Sequence, residues 1–297
     1  MKIILGPSSK ELGERIANLT GFRTIAVVTR TFTDGEAYIR LDGESNGEVV
    51  VVQTTSPPQD TNLMMLALTV NAAKRNGATK VTAVVPYLAY ARQDKIFLQG
   101  ETISIEVVAS MLKAAGVDEL LTINVHEKKA LTKLPFPAKS VSAIPLLAEY
   151  FVQRGFKRAF ALAPDKGAMY IADEAKAVLG GEDGHLDKQR DRHTGQVKTE
   201  WKALAVKGET CIIFDDVITS GDSIVNAARI LQDNGARRVF AACVHPLLIG
   251  DAERRILDVG VEEVVGTDSV PSQASKVTLA PLITEELMGN LQARSNG

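Results

Sequence analysis

Two adjacent acids followed by a turn of hydroxyls and glycine form the most suggestive chemical pattern in this chain. In the stretch IIFDDVITSGDSI (212–224), an apolar run leads into Asp215 and Asp216, and a Thr-Ser-Gly-Asp-Ser turn follows at 219–223. Gly221 allows a ligand to approach the backbone closely. The N–H groups at the start of the next helix, with three hydroxyls, can cradle a phosphate. Because the acid pair suits sugar hydroxyls rather than phosphate, the stretch predicts a sugar phosphate site.

The same stretch has a purely structural interpretation, in which Ser220 or Asp222 caps the helix that follows. Asp222 stands beside the predicted cradle, where an inward carboxylate would repel a phosphate. We therefore expect its side chain to point away from the cradle and cap the helix. The acid pair at the end of the strand favours the ligand site over a simple cap.

These residues need a scaffold, and the apolar pattern predicts one of alternating strands and helices. Short β-branched runs such as EVVVVQT, KVTAVVPY and ETCIIFDD are separated by amphipathic stretches that end in Gly or Asn-Gly. Near-continuous apolar runs are typical of strands buried on both faces of a parallel sheet, and Gly or Asn-Gly is a helix C-terminal signal. The alternation predicts an α/β fold with right-handed crossovers.

A repeated helix–strand junction indicates an internal duplication. AAKRNGATKVTAVV (72–85) and ILQDNGARRVFAAC (230–243) share a helix tail, Asn-Gly-Ala, two residues and then a strand. Chance similarity between two such junctions is the alternative. With prolines clustered at 135–145, we predict an N-terminal α/β domain at 1–142 and a C-terminal one at 143–279 that holds the sugar phosphate site. A last helix at 280–295 should pack back on the first domain.

Polar residues follow five of the predicted strands. Open α/β sheets bind ligands at the carboxyl ends of their strands, so these segments are expected to gather there. They are TFTDGE (31–36), YARQDK (90–95), NVHEKK (124–129), PDKGA (164–168) and DDVITSGDS (215–223). Together they indicate an anionic ligand linked to a metal ion.

Composition excludes several classes of protein. The 297 residues are 45% hydrophobic and 24% charged, with a net charge of −2, so no basic field draws the chain to nucleic acid or membrane. No apolar run reaches transmembrane length and no signal peptide is recognisable, so we expect a cytoplasmic protein. Cys211 and Cys243 lie in apolar strands and should be buried thiols, and the four histidines form no zinc pattern with them.

The motifs resemble a known family. FDDVITSGDSI resembles the phosphoribosyl-diphosphate binding motif that phosphoribosyltransferases and ribose-phosphate diphosphokinases share. Further motifs distinguish between these two families, and they resemble ribose-phosphate diphosphokinases, in their archaeal form, over almost the whole chain. They are FTDGEAYIRL (32–41), PYLAYARQDKIFLQGETIS (86–104), INVHEKKAL (123–131), PDKGA (164–168) and LDKQR (186–190).

The resemblance implies two similar domains of the type I phosphoribosyltransferase kind, each with a mainly parallel sheet flanked by helices. It implies transfer of the β,γ-diphosphoryl group of ATP to the C1 hydroxyl of ribose 5-phosphate, with Mg²⁺ as cofactor. It also implies a homo-oligomer, either a dimer or a multiple of dimers.

The resemblance assigns roles residue by residue. It implies ribose 5-phosphate positions at Arg190, Asp215, Asp216, Thr219, Ser220, Gly221, Asp222 and Ser223. It implies ATP positions at Phe32, Asp34, Gly35, Glu36, Arg92, Gln93 and Asp94, the first four on a loop that reaches across from a neighbouring subunit. Lys188 and Arg190, on a charged loop that moves, correspond to catalytic positions, and His126 and Asp165 to the magnesium positions.

One departure from the family's pattern falls near the metal. The family usually carries an acid two residues before the histidine, and this chain has Asn124 there. Two alternatives to an active diphosphokinase follow. A phosphoribosyltransferase would not need a second domain carrying YARQDK. A non-catalytic partner subunit should have lost Lys188, Arg190 or His126, and only Asn124 favours it.

Overall fold

The computed structural model describes residues 1–190, 197–200 and 206–295, with side chains at 1–186 and 206–291. In these ranges no helix is both long and apolar enough to cross a membrane. The helices are α1 (Lys10–Thr20), α2 (Gln59–Arg75), α3 (Ser104–Ala115), α4 (Ile144–Gln153), α5 (Met169–Leu179), α6 (Asp222–Asp233), α7 (Ala252–Asp258) and α8 (Ala280–Ser295).

The strands fall into two groups along the chain. The first group is β1 (Lys2–Leu5), β2 (Arg23–Thr31), β3 (Ala37–Asp42), β4 (Gly47–Val52), β5 (Ala78–Val85), β6 (Glu119–Ile123) and β7 (Ala138–Val141). The second group is β8 (Phe160–Ala163), β9 (Asp183–His185), β10 (Asp187–Arg190), β11 (Val197–Glu200), β12 (Thr210–Ile218), β13 (Arg238–Pro246), β14 (Val264–Thr267) and β15 (Ser275–Val277).

The chain divides into two compact units. Unit 1 comprises Met1–Val141, Ser269–Pro271 and Thr278–Gly297, and unit 2 comprises Ser142–Asp268 and Ser272–Val277. The sheet of unit 1 has the order β3-β2-β1-β4-β5-β6-β7 and is parallel except for β3. Helix α8 packs against α1 within this unit.

Unit 2 repeats the topology of unit 1. Its sheet has the order β15-β14-β13-β12-β8-β9 and is parallel throughout, so β8, β12, β13, β14 and β15 correspond to β1, β4, β5, β6 and β7. The strands β10 and β11 form a separate antiparallel pair. The predicted α/β fold with two similar, mainly parallel sheets is confirmed.

Burial explains why the apolar runs form central strands. Residues 211–214 of β12 and 239–244 of β13 are fully or almost fully buried, as expected where helices cover both faces of a sheet. Cys211 and Cys243 are free and buried, as predicted. Helix α6 meets the sheet through residues spaced three or four apart, namely Ile224, Val225, Ala227, Ala228 and Leu231.

The two Asn-Gly junctions end their helices in the same way. Asn76 follows α2 and Asn234 follows α6, each at the C-cap position. The glycines after them, Gly77 and Gly235, have φ angles of 97° and 80°, in the left-handed region that glycine adopts without strain. Each junction therefore returns the chain directly into the next strand of its sheet.

Candidate functional site

The acid pair lies at the carboxyl end of β12, the central strand of the unit 2 sheet. Asp215 and Asp216 are partly buried, and the Asp216 N–H donates to Asp215 Oδ1 at 2.9 Å. Burial raises the pKa of the Asp215 carboxyl well above its ordinary value, and the negative charge of Asp216 raises it further. Hydroxyl donors from a ligand would stabilise both carboxylates, which makes the pair an acceptor site for a sugar.

Asp165 joins this pair from the neighbouring strand. It follows β8, which pairs with β12, and its Oδ1 accepts from the Ala168 N–H at 3.2 Å, which begins a 3₁₀ turn. Its charge also raises the pKa of Asp215, so the carboxylates act on one another. The fold thus brings three acids to the carboxyl edge of two adjacent strands.

The turn at 219–223 connects β12 to α6, and its shape depends on Gly221. Gly221 has a φ of 81°, and a Cβ at this position would lie 3.0 Å from Ile256 Cδ1. Only glycine meets both constraints without strain. The turn therefore keeps its shape at the N-terminus of α6, where backbone N–H groups and the helix dipole favour an anion.

The expected helix cap was wrong. Gly221, not Ser220 or Asp222, occupies the N-cap position of α6, and no side chain caps the helix. The Asp222 carboxylate instead accepts from the Ser220 hydroxyl at 2.8 Å and from the guanidinium of Arg255. Both bonds lower the pKa of Asp222, the one from Arg255 more strongly. The acid is therefore paired with a cation on α7, a partner that the local pattern did not reveal.

Lys188 and Arg190 lie on a strand where the sequence indicated a loop. They belong to β10, whose backbone pairs with β11 so that Lys188 faces Thr199 and Arg190 faces Val197. The antiparallel ladder satisfies backbone groups that a loop would leave to water. The side chains of both residues lie outside those that the structure describes.

In unit 1, the YARQDK segment follows β5 at the carboxyl edge of the sheet. Arg92 is exposed, while Gln93 and Asp94 are partly buried. Tyr90 has a φ of 66°, an uncommon conformation for a bulky residue, and its hydroxyl donates to Asp60 at the start of α2. Backbone strain held by a specific bond at the start of this segment is typical of a functional site.

Glu101 organises the loop that follows. Its Oε2 accepts from the N–H groups of Phe97 at 2.7 Å and Leu98 at 2.9 Å, and from the Gln93 side chain at 3.3 Å. The backbone bonds from Leu98 and Phe97 lower the pKa of Glu101, so this acid is held ionised. Glu101 lies in the motif at 86–104, but the motif did not indicate a role for this residue.

The TDGE segment forms the tip of the β2–β3 hairpin. Phe32 donates from its N–H to the Glu36 carbonyl at 2.8 Å, and Asp34 Oδ1 accepts from the Glu36 N–H at 3.1 Å. Gly35, with a φ of 96°, completes the turn. Phe32 is 53% exposed and touches Tyr38 edge-on, so the hairpin presents an aromatic face to solvent.

The order of strands decides which of these segments lie near one another in unit 1. Strands β5 and β6 are neighbours, so the segment with Arg92 and the segment with His126 leave adjacent strands. The hairpin strand β2 lies three strands from β5, about 14 Å at the usual spacing. Phe32 and Arg92 of one chain are therefore not brought together by the sheet.

Asn124 and His126 follow the end of β6. His126 is exposed, whereas Asn124 is buried and has a φ of 37°. The Asn124 N–H donates to the Val141 carbonyl at 2.9 Å. Asparagine and aspartate are the residues most tolerant of this backbone region, so the conformation accommodates either one. Across the described residues, no three His, Cys, Asp or Glu side chains group so as to hold a metal ion.

Comparisons with known proteins agree with these features. Residues 1–116 match the model described as the N-terminal domain of ribose phosphate pyrophosphokinase, and residues 202–288 match the phosphoribosyl synthetase-associated domain. The ribose-phosphate pyrophosphokinase of Methanobrevibacter smithii is 39% identical over 96% of this chain and 99% of its own length. This chain belongs to the ribose-phosphate pyrophosphokinase family. The ribose-phosphate pyrophosphokinase of Methanothermobacter thermautotrophicus is 41% identical over 95% of this chain and 99% of its own length.

A solved structure of the family has the same fold. The crystal structure of phosphoribosylpyrophosphate synthetase from Mycobacterium smegmatis matches with a TM-score of 0.87 and 28% identity, covering 100% of this chain and 99% of its own. The resemblance to ribose-phosphate diphosphokinases, drawn from the motifs, is therefore confirmed, and so is the resemblance to archaeal members.

Proposed function

We propose that this chain transfers the β,γ-diphosphoryl group of ATP to the C1 hydroxyl of ribose 5-phosphate, giving 5-phosphoribosyl 1-diphosphate and AMP. The observation that carries the proposal is the pair Asp215–Asp216 at the end of β12, followed by a turn pivoting on Gly221 at the start of α6. Acceptors for sugar hydroxyls and a cradle for a phosphate stand side by side. Membership of the family supports the same activity.

Ribose 5-phosphate binds at this edge of unit 2. Asp215 and Asp216 accept hydrogen bonds from the ribose hydroxyls, which offsets the repulsion between the carboxylates. The 5-phosphate lies against the backbone N–H groups of the turn and the hydroxyls of Thr219 and Ser223, and Ser220, whose hydroxyl donates to Asp222, contributes its backbone N–H. Asp222 contributes its backbone N–H, since its carboxylate is bonded to Arg255.

ATP binds at the carboxyl edge of unit 1. Arg92, Gln93 and Asp94 contact the nucleotide, the planar guanidinium of Arg92 being suited to phosphate or to a purine face. The adenine stacks on Phe32 of a second copy, whose Asp34, Gly35 and Glu36 complete the pocket. The exposure of Phe32 and its distance from Arg92 within one chain support this assignment, which requires a homo-oligomer.

Magnesium is the cofactor that the chemistry and the family favour. Asp165 offers hard carboxylate oxygens, and Mg²⁺ usually takes only one or two protein ligands, with phosphates and waters as the remainder. In unit 2, Asp165 would be a ligand of the ion, and in unit 1 the resemblance assigns His126 to another of the family's magnesium positions, acting through a water molecule. The ion would neutralise charge on the diphosphoryl group and fix its orientation.

The transfer itself needs positioning and charge neutralisation. The C1 oxygen forms a bond to the β-phosphorus, the bond from that phosphorus to the α,β-bridging oxygen breaks, and the hydroxyl proton is released. Lys188 and Arg190 stabilise the negative charge that develops on the transferred group, and Arg190 also contacts ribose 5-phosphate. No covalent intermediate with the protein is required.

³¹P NMR of the purified chain with ATP, ribose 5-phosphate and Mg²⁺ tests the proposal. We expect AMP to appear together with a diphosphate ester at C1 of the ribose. If ATP persists while ribose 5-phosphate binding is detected by calorimetry, the proposal of an active enzyme is wrong and a non-catalytic partner subunit becomes the better explanation.

A further inference from the structure

Asp222 raises a difficulty for the phosphate site. It is the only charged residue in the turn at 219–223, and it lies exposed in the first turn of α6. The 5-phosphate of a sugar carries close to two negative charges at neutral pH. A carboxylate a few ångströms from that dianion would weaken binding unless a cation neutralised it.

Arg255 of α7 supplies that cation. Its Nη2 donates to Asp222 Oδ1, and its Nη1 lies 3.4 Å from the carbonyl oxygen of Ser220. The other Asp222 oxygen accepts from the Ser220 hydroxyl at 2.8 Å. The guanidinium therefore contacts both the acid and the backbone of the turn. Asp251 also acts on Arg255 but bonds to its neighbour Arg254 at 3.1 Å.

The segment around Arg255 forms a wall behind the turn. The Ile249 N–H donates to the Thr219 carbonyl at 3.0 Å, and Leu248 does the same for Ile218 at 3.0 Å. Ile256 packs so closely against Gly221 that a Cβ there would lie 3.0 Å away. Residues 248–256 thus fix the path of the turn, and Arg255 is the one charged group of this wall that reaches it among the described contacts.

The pair contributes little to folding. The side chains of Arg255 and Asp222 are 42% and 65% exposed, and ion pairs this exposed add little to stability. We therefore expect the Arg255–Asp222 ion pair to affect ligand binding by the turn rather than stability.

We propose that Arg255 is a positioning residue of the ribose 5-phosphate site, which neutralises Asp222 and holds the Ser220–Asp222 backbone so that the turn accepts a phosphate dianion. The proposal rests on the proposed function for the identity of the sugar phosphate, but the charge relation holds for any phosphate bound in the turn. It also explains how the chain tolerates an acid in its phosphate cradle.

A charge cycle tests the proposal. Arg255→Gln exposes the Asp222 carboxylate and should raise the KM for ribose 5-phosphate by about tenfold, the order expected for one unscreened charge beside a dianion in a partly solvated turn. The KM for ATP and the melting temperature should not change. Asp222→Asn combined with Arg255→Gln should restore the KM to within about threefold of the parent, because the repulsive charge is gone. Arg255→Lys, which keeps the charge, should retain most of the affinity.

Arg254→Gln is the matched control. It makes the same change one residue earlier on α7, at an arginine that pairs with Asp251 rather than with the turn. It should leave the KM for ribose 5-phosphate unchanged. If the double variant stays as weak as Arg255→Gln, or if Arg254→Gln weakens binding equally, charge neutralisation of Asp222 is not what Arg255 does.

Calorimetric titration of the same variants with inorganic phosphate separates this proposal from the proposed function. A parent that forms no phosphoribosyl diphosphate, but whose phosphate affinity falls in Arg255→Gln and returns in the double variant, would overturn the activity and uphold the role of Arg255. If the parent forms the product, but neither substitution changes the affinity for phosphate or ribose 5-phosphate, the activity is upheld and the role of Arg255 is overturned.

Discussion

The ends of β4 and β12 occupy equivalent places in the two units, but one carries uncharged polar residues and the other carries acids. Each strand is followed by a polar turn and then by a helix, α2 or α6, which leads to the next strand of the sheet. After β4 the residues are Gln53, Thr54 and Thr55, and at the end of β12 they are acids. The same topology thus carries two different chemistries at the same edge.

The turn after β4 is closed by bonds within unit 1. Gln53, Thr54 and Thr55 are fully buried. The Gln53 amide oxygen accepts from the Ser8 N–H at 3.2 Å, and the threonine hydroxyls donate to the carbonyls of Ser269 and Tyr87 at 2.7 Å and 2.8 Å. Polar groups that satisfy one another in this way stabilise the fold and leave no site for a ligand.

The end of β12 instead carries acids that act on one another. Burial raises the pKa of Asp215, the negative charges of Asp216 and Asp165 raise it further, and Gly221 caps α6 without a side-chain bond. Acids whose pKa is perturbed by burial and by a neighbouring charge are typical of functional sites. The comparison indicates that the side chains at a given strand end, and not the topology, decide whether that strand end can bind a ligand.

Asp215→Asn should have the largest effect on function. Loss of a charged acceptor for a ribose hydroxyl should lower kcat/KM for ribose 5-phosphate by about 10- to 100-fold while the KM for ATP is kept. Steady-state kinetics in both substrates measure this. Asp233→Asn, at the exposed end of α6, is the control. An unchanged dependence on ribose 5-phosphate would remove Asp215 from the site.

The same variant should be more stable than the parent at neutral pH. Because the pKa of Asp215 is raised above its ordinary value of 3.8, the native state binds this proton more tightly than the unfolded chain. Stability therefore falls as pH rises from 3.8 towards the raised pKa, and the loss persists above it. Asp215→Asn removes that loss and should raise the melting temperature by about 3 °C at pH 8 and hardly at pH 4.

Gln53→Glu would place an acid at the closed strand end and should act on stability. A carboxylate at this buried position would lose the amide donor to the Asn62 carbonyl and would be taken out of water, at a cost of about 2–4 kcal/mol. Urea unfolding measures this, with the exposed Gln273→Glu as the control. A neutral result would mean that the two strand ends are not as different as their contacts indicate.

Gly221→Ala should weaken ribose 5-phosphate binding by about tenfold and destabilise the chain by about 1–2 kcal/mol. The alanine would adopt a φ of 81° and press on Ile256. Gly180→Ala is a matched control, since Gly180 also has a positive φ, 73°, but no neighbour within 4 Å of an added Cβ. It should cost similar strain in thermal unfolding and leave substrate binding intact.

Glu101→Gln should have the smallest effect, a rise of about three- to tenfold in the KM for ATP. The amide accepts more weakly than a carboxylate from the N–H groups of Phe97 and Leu98, so the loop that positions Gln93 would be held less firmly. Fluorescent nucleotide binding measures it, with Glu106→Gln as the control. Unaltered ATP affinity would make Glu101 a structural residue only.

Features whose signals are contiguous in the chain could be predicted from the sequence. The alternation of apolar runs with amphipathic stretches predicted two parallel sheets, and the Asn-Gly junctions predicted where α2 and α6 end. The strand, acid pair and glycine turn at 212–224 predicted a site because all its parts lie within one local segment. A short segment has few conformations that satisfy its backbone and bury its apolar residues.

Features whose partners are distant in the chain could not be predicted from the sequence, because they depend on the tertiary structure. Arg255 lies 33 residues from the Asp222 that it holds, and its own segment carries no signal that distinguishes it from Arg254. The predicted cap at Asp222 was wrong because that remote cation competes for the carboxylate, and the segment with Lys188 became a strand because β11 pairs with it. The polar residues at the ends of β4 and β12 likewise differ in the remote groups that surround them. Whether a polar side chain is satisfied depends on which remote groups the fold places within hydrogen-bonding distance.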